Sequence, residues 1–192
     1  FLIGSDLFIS SEYDVPLFIS KTLTNYNYEV LVHEIGHSLG LKHPFEADRS
    51  NQTILSDQED QTAYTAMSYN EDPNTFSGTF RSLDWMTLTK FYGVNPDFNS
   101  GNDIYFFSDT NATFIVDGGG TDIIDSSGYA RNVFIDLREG SHSHCGHKSQ
   151  YITDNNQLSI SYGSTIENVL TGMGQDQIIG NAASNDANTG RG

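Results

Sequence analysis

The sequence predicts an α+β fold in two parts: a mixed portion over residues 1–95 and an all-β portion over residues 96–192. Three observations carry that prediction. Leu31, Ile35 and Leu39 recur every fourth residue, the period of a helix. Ser82 can act as an N-cap and Gly93 as a C-terminal stop around residues 83–92. Beyond Gly93 the composition turns to glycine, asparagine and aspartate with isolated Ile, Val and Phe between them, the pattern of short strands and tight turns.

The first helix can be capped by Asn25 or Asn27, and Glu29 is expected in its first turn, where a negative charge suits the helix dipole. Its apolar stripe is expected on the side away from His33 and His37. Those two histidines open the run His33-Glu34-Ile35-Gly36-His37-Ser38-Leu39-Gly40-Leu41-Lys42-His43, an H-E-x-x-H-x-x-G-x-x-H pattern. Residues four apart stand one above the other on a helix, so His33 and His37 can offer imidazole nitrogens to one metal. Glu34 lies about 100° round the helix from His33, beside the metal without being forced to ligate it. Gly40 accepts a left-handed conformation at low cost, so the helix can end there and His43 can swing back as a third ligand. Three protein ligands with an open position is the catalytic arrangement for zinc, whereas structural sites are closed by four.

Downstream stands Thr65-Ala66-Met67-Ser68-Tyr69. Together with the histidine run, this segment resembles the metzincin metalloproteases, and within them the serralysin branch, whose turn reads Met-Ser-Tyr. Met67 matches the methionine beneath the metal, a hydrophobic floor that orients the histidines. Tyr69 matches a tyrosine that serves as a further zinc ligand and can swing away. His43-Pro44 matches the same branch. Residues 83–93, ending in Tyr-Gly, resemble the helix that closes the catalytic domain, with Ser82 as N-cap and Gly93 as stop. Residues 4–9 are similar to the strand that precedes the zinc helix. The fold implied is a metzincin-like catalytic portion followed by a calcium-binding parallel β-roll.

The roll has its own signature. Asp117-Gly118-Gly119-Gly120-Thr121-Asp122 and Gly172-Met173-Gly174-Gln175-Asp176 approximate the G-G-x-G-x-D-x-U-x calcium repeat. Glycines allow the tight turn, carbonyls and aspartates give oxygen ligands, and the apolar residue points inward; Ca²⁺ takes six to eight such oxygens. Residues 185–192 begin another repeat. The resemblance implies two calcium sites. One uses Asn99, Gly101, Asp103, Asp117, Gly119 and Asp122; the other uses Gly120, Asp122, Thr165 and Glu167. Short antiparallel strands such as 133–137 are expected to lead into the roll.

The implied activity is endopeptide hydrolysis of protein or peptide substrates with Zn²⁺ and Ca²⁺ as cofactors. Zinc held by His33, His37 and His43 acidifies water, Glu34 is general base and then acid, and Tyr69 hydrogen-bonds the oxyanion. The resemblance further implies a monomeric, secreted, extracellular bacterial protein that folds on calcium, so disulfides are not expected; the single Cys145 excludes an internal one. Only 32 residues precede His33 and the roll stops within a repeat, so the chain reads as a fragment truncated at both ends. The alternative is a calcium-stabilised binding or scaffold fragment with an inactive zinc site. Glu34 argues against it, since a binding-only site has no need of a base.

Charge narrows the partners. With 25 acidic and 9 basic residues the net charge is −16, which repels nucleic acid and anionic membranes. No apolar run is long enough to span a bilayer. The acidic run Asp57-Gln58-Glu59-Asp60 reads as a solvated loop. His142, His144 and His147 invite a second metal site in an irregular loop but have no part in the implied mechanism. Asn51-Gln52-Thr53 and Asn111-Ala112-Thr113 fit the N-glycosylation pattern and are expected to be unused.

Overall fold

The computed structural model describes residues 25–47, 49, 51–71 and 78–190. The strand expected over residues 4–9 and the capping side chains of Asn25 and Asn27 lie outside the described residues. The molecule is mostly β, with two helices among the described residues: α1, Asn25–Ser38, and α2, Ser82–Tyr92. The chain divides into two compact units, Phe1–Leu88 and Thr89–Gly192. No described helix is long and apolar enough to cross a membrane.

In the first unit α1 ends where Gly40 takes φ +92°. Leu41 N–H donates to Gly36 O at 2.9 Å and Gly40 N–H to His37 O at 3.0 Å, which together close a Schellman motif. The packed face of this helix differs from the expected stripe. Val32 and Gly36 are buried, while Ile35 is exposed. Gly36 lies so close to Met67 that a Cβ there would collide with its Sδ. The absence of a side chain, not a leucine, lets the helix approach its floor. Glu29 falls just beyond the first turn, which holds no acidic residue. A small core joins Leu41, Met67 and Leu88, with Leu39 and Phe80 against it.

The start of α2 is also set differently. Trp85 N–H donates to Arg81 O at 2.9 Å, so Arg81 and not Ser82 is the N-cap. The Asp84 carboxylate reaches back to the Arg81 N–H at 2.8 Å, one half of a capping box. In the acidic run, Asp60 is buried rather than solvated; its carbonyl and Oδ2 accept both protons of the Asn70 amide, at 2.9 and 3.1 Å.

Among its described residues the second unit contains nine short strands: β1 Ile104–Tyr105, β2 Thr113–Ile115, β3 Ile123–Ser126, β4 Val133–Asp136, β5 His142–Cys145, β6 Gln157–Ile160, β7 Asn168–Thr171, β8 Gln177–Ile179 and β9 Asp186–Asn188. One sheet has the order β1-β3-β7-β9, all parallel; the other has the order β2-β6-β5-β4-β8. Only β4-β5 and β5-β6 pair antiparallel. Parallel pairing therefore begins at β1, earlier than a late passage from antiparallel strands into a roll. Strands β7, β8 and β9 start nine residues apart and alternate between the sheets, one strand per half-turn of the roll. One apolar core is fed from both sheets, by Ile124 and Val169 on one side and Ile115, Ile135, Leu158 and Ile160 on the other. Cys145 is buried in it as a free thiol.

Candidate metal centres

Helix α1 puts His33 and His37 on one face, and the turn at Gly40 returns His43 to them. The Nε2 atoms of His33 and His37 each lie 3.1 Å from His43 Nε2. Every ring is oriented from behind. His33 Nδ1–H donates to Ala66 O at 2.8 Å, His37 Nδ1–H to Leu41 O at 2.9 Å, and His43 Nδ1–H to Glu46 Oε2 at 2.9 Å. With the protons on Nδ1, three Nε2 lone pairs face one centre with no hydrogen between them. A cation there removes that repulsion. Nitrogens about 2.0–2.1 Å from a tetrahedral zinc would sit about 3.3 Å apart, close to the separations seen.

Burial, joined by the rings of His37 and His43, holds His33 below the ordinary imidazole value, against the pull of the Ala66 carbonyl and the Glu34 charge. The neutral ring is the form that ligates metal. Glu34 is half-buried beside the cluster and close enough for its charge to act on His33. The Tyr69 hydroxyl lies 2.9 Å from His43 Nε2, while its ring is 64% exposed. Met67, 2% exposed, packs against Gly36 on the buried face of the helix.

Asp84 supports this cluster, and the motif did not point to it. It is 2% exposed. Its Oδ1 accepts from Thr65 Oγ1 at 2.6 Å and its Oδ2 from Ala66 N–H at 2.7 Å. The Ala66 carbonyl, in the next peptide unit, holds His33. Burial pushes the Asp84 carboxyl up, opposed by its hydrogen bonds to Ala66, Thr65 and Arg81.

The second cluster lies in the second unit. Carboxylate oxygens of Asp103, Asp117 and Asp122 gather within 4.8 Å of one another. Glu167 joins them, since its Oε2 accepts the Asp122 N–H at 2.8 Å. The Gly101 carbonyl packs against Gly120, and Gly119 N–H donates to Asp117 Oδ1 at 2.8 Å. Asp122 Oδ1 accepts from Asp103 N–H at 2.8 Å, but its buried Oδ2 has no hydrogen-bond partner. Burial pushes the Asp122 carboxyl up to about 6, with the charges of Asp117, Glu167 and Asp103 acting in the same direction and the Asp103 N–H against it. An orphaned buried oxygen among four carboxylates is a fit for a hard cation with oxygen ligands.

Asn99 has φ +47° and donates through Nδ2 to Val116 O, which leaves its own carbonyl free of that bond. Thr165 is exposed, two residues before Glu167. Two neighbours carried no sequence signal. Asn102 Oδ1 accepts the Thr121 N–H at 3.0 Å, and the Tyr105 hydroxyl donates to Asp117 Oδ2. Burial, and then that hydrogen bond, raise the Tyr105 phenol.

The histidines at 142–147 are not gathered. His142–Cys145 is a strand, not an irregular loop. His142 Nδ1 bonds Ser159 Oγ at 2.8 Å, and the His144 ring stacks on Phe134 at 5.4 Å. His147 is exposed. Among the described residues the metal-like groups are the two clusters above.

Residues 84–190 match the family model for the peptidase M10 serralysin C-terminal domain. The chain belongs to the serralysin family. It is 33% identical to the serralysin of Proteus mirabilis over 200 residues, 91% of this chain and 40% of that protein. It is 36% identical to serralysin B of Dickeya chrysanthemi over 180 residues, 80% of this chain and 36% of that protein. It is 34% identical to the metalloprotease AprA of Pseudomonas entomophila over 190 residues, 84% of this chain and 38% of that protein. The chain thus spans about two-fifths of the length of these serralysin relatives. The segment matched by the family model contains the carboxylate cluster and all nine strands. The longest of the three alignments leaves too few residues uncovered to miss His33–His43.

Proposed function

We propose that this chain carries the zinc centre of a serralysin-type endopeptidase together with a calcium-stabilised β-roll. The observation that carries this reading is the convergence of three oriented Nε2 atoms and the Tyr69 hydroxyl on one point. His33, His37 and His43 would hold zinc, with Tyr69 as a releasable fourth ligand. Zinc held there supplies Lewis acidity, acidifying water and polarising a carbonyl.

The residues of the chain do the rest. Glu34 takes a proton on its carboxylate from the attacking water and delivers it to the leaving amine. Tyr69, mostly exposed, donates its hydroxyl proton to the developing oxyanion. Met67 and Gly36 exclude water from beneath the histidines.

Calcium would be held by the carboxylates of Asp103, Asp117, Asp122 and Glu167, with Asn99, Gly101, Gly119, Gly120 and Thr165 supplying further oxygens. The substrates are extended proteins or peptides, and the setting is extracellular, where millimolar calcium fills such sites. The division into a zinc-bearing portion and a β-roll domain belongs to the same reading. A calcium-stabilised scaffold without activity is the second reading, favoured by the restriction of the family match to residues 84–190.

Hydrolysis of a quenched protein substrate with Zn²⁺ and Ca²⁺, beside Glu34→Gln, tests the first against the second. The endopeptidase reading expects kcat to fall about 10²–10⁴-fold in the variant while zinc stays bound. Equal rates in both proteins, or none in either, would favour the scaffold.

A further inference from the structure

His33 and His37 ride on a rigid helix and are braced by backbone carbonyls. His43 has neither support. It lies beyond the helix, in a stretch without helix or strand among the described residues up to Ser82. Its brace is the side chain of Glu46, whose carboxylate is largely exposed. An exposed carboxylate on a loop holds a ring in place only if something holds the loop.

Backbone hydrogen bonds fix part of it, from Glu46 N–H to His43 O at 3.3 Å and from Leu55 N–H to Pro44 O at 2.9 Å, and Lys42 ties in the rest. Its Nζ donates to Glu46 O, to Thr53 O at 2.8 Å and to His43 O at 3.5 Å. One ammonium group thereby gathers the carbonyls of the third histidine, of its carboxylate brace and of a residue eleven positions along the chain. A lysine with three donors can satisfy three carbonyls at once, which no neutral side chain of that length does.

From this geometry we infer that Lys42 is a positioning residue for the zinc centre. It keeps the carbonyls of His43, Glu46 and Thr53 gathered, and so keeps Glu46 on His43 Nδ1 and His43 Nε2 aimed at the metal. The inference rests on the proposed zinc reading. It assigns to this chain a loop clamp in place of the backbone bracing that serves the other two ligands.

The test is zinc affinity, measured on the whole chain by competition with a chromophoric chelator. Outer partners of ligating histidines typically contribute about 10–100-fold in metal affinity. Lys42→Met is expected to weaken zinc by about 10-fold or more and to alter the visible absorption of the cobalt-substituted protein, because one ligand is misdirected. Lys42→Arg keeps the charge and N–H donors but not the single ammonium point, so it is expected to recover only part of the affinity lost in Lys42→Met. Glu46→Gln should weaken zinc as Lys42→Met does. The double variant should be much less than additive, since both residues act through one contact.

Affinity in Lys42→Met within twofold of the unaltered chain (about the resolution of such a comparison) would overturn the inference, as would fully additive losses or an Arg variant as weak as the Met variant. If the unaltered chain bound no zinc at all, the zinc reading itself would fall instead.

Discussion

Between Ser38 and Ser82 the first unit has no helix or strand among its described residues, whereas from Ile104 to Asn188 the second unit sets nine strands into two sheets. Among its described residues the first unit has a buried cluster of Leu41, Met67 and Leu88. That of the second draws apolar side chains from both sheets. In the first unit the reactive geometry is held by single hydrogen bonds, from His33 and His37 to the backbone carbonyls of Ala66 and Leu41 and from His43 to the Glu46 side chain, and only the last can be cut by a substitution at the acceptor. In the second, the carboxylate cluster is mounted on ladders and turns that share a common core. A sparse region keeps precision by bracing each ligand separately; a dense region keeps it by making the ligands part of the packing.

The largest effect should come from breaking the dense side. Leu158→Ala removes a fully buried side chain from the two-sheet core and is expected to lower unfolding stability by about 2–5 kcal/mol, read by urea denaturation in calcium. Next comes the cation. Removing calcium with a chelator leaves Asp103, Asp117, Asp122 and Glu167 crowded and Asp122 Oδ2 unpartnered. At about 100 times the dissociation constant a bound ion contributes about 2.7 kcal/mol, so the thermal transition should fall by several degrees on chelation. An unchanged transition would show that the turns stand without an ion.

On the sparse side, Gly36→Ala adds a methyl that collides with Met67. Overpacking of that kind costs about 1–3 kcal/mol, and the helix carrying His33 and His37 should lift from its floor. The expected signature is weaker zinc binding with little change in calcium binding. A variant with native zinc affinity would mean that Met67 moves aside freely.

The smallest effect concerns pH. Arg138 donates to both oxygens of the buried Asp136. Those hydrogen bonds, against the cost of burial, hold the Asp136 carboxyl below the ordinary carboxylate value of 3.8. A depressed carboxylate stabilises the folded state above its unfolded pKa and loses that contribution as pH falls through the folded value. Stability should therefore fall less steeply below pH 3.8 in Arg138→Ala than in the unaltered chain, because the variant no longer has that contribution to lose. Parallel acid-denaturation curves would contradict the pairing.

Much of the site was legible because its information is local. The spacing of His33, His37 and His43 is a property of helical geometry and one turn, and Asp117, Gly119, Gly120 and Asp122 are adjacent in the chain. What escaped depends on contacts between distant segments. The close approach of Gly36 to Met67, the grip of Asp84 on the Thr65–Ala66 turn, and the hydroxyl of Tyr105 on Asp117 have no periodicity to announce them. The same reason explains two misread stretches. Strand β5 carries polar residues, so it resembles a loop until its pairing with β4 and β6 is seen. Asp60 sits in an acidic run, and only Asn70 explains why it is buried.

Under the proposed function the two clusters hold two different ions, zinc at the histidines and calcium at the carboxylates. A calorimetric titration of each ion into the metal-free chain, into His37→Ala and into Asp122→Asn tests it most directly. One tight zinc per chain is expected, lost in His37→Ala and kept in Asp122→Asn, with calcium binding showing the reverse pattern. Zinc that binds as tightly to His37→Ala, or calcium that is indifferent to Asp122→Asn, would contradict it.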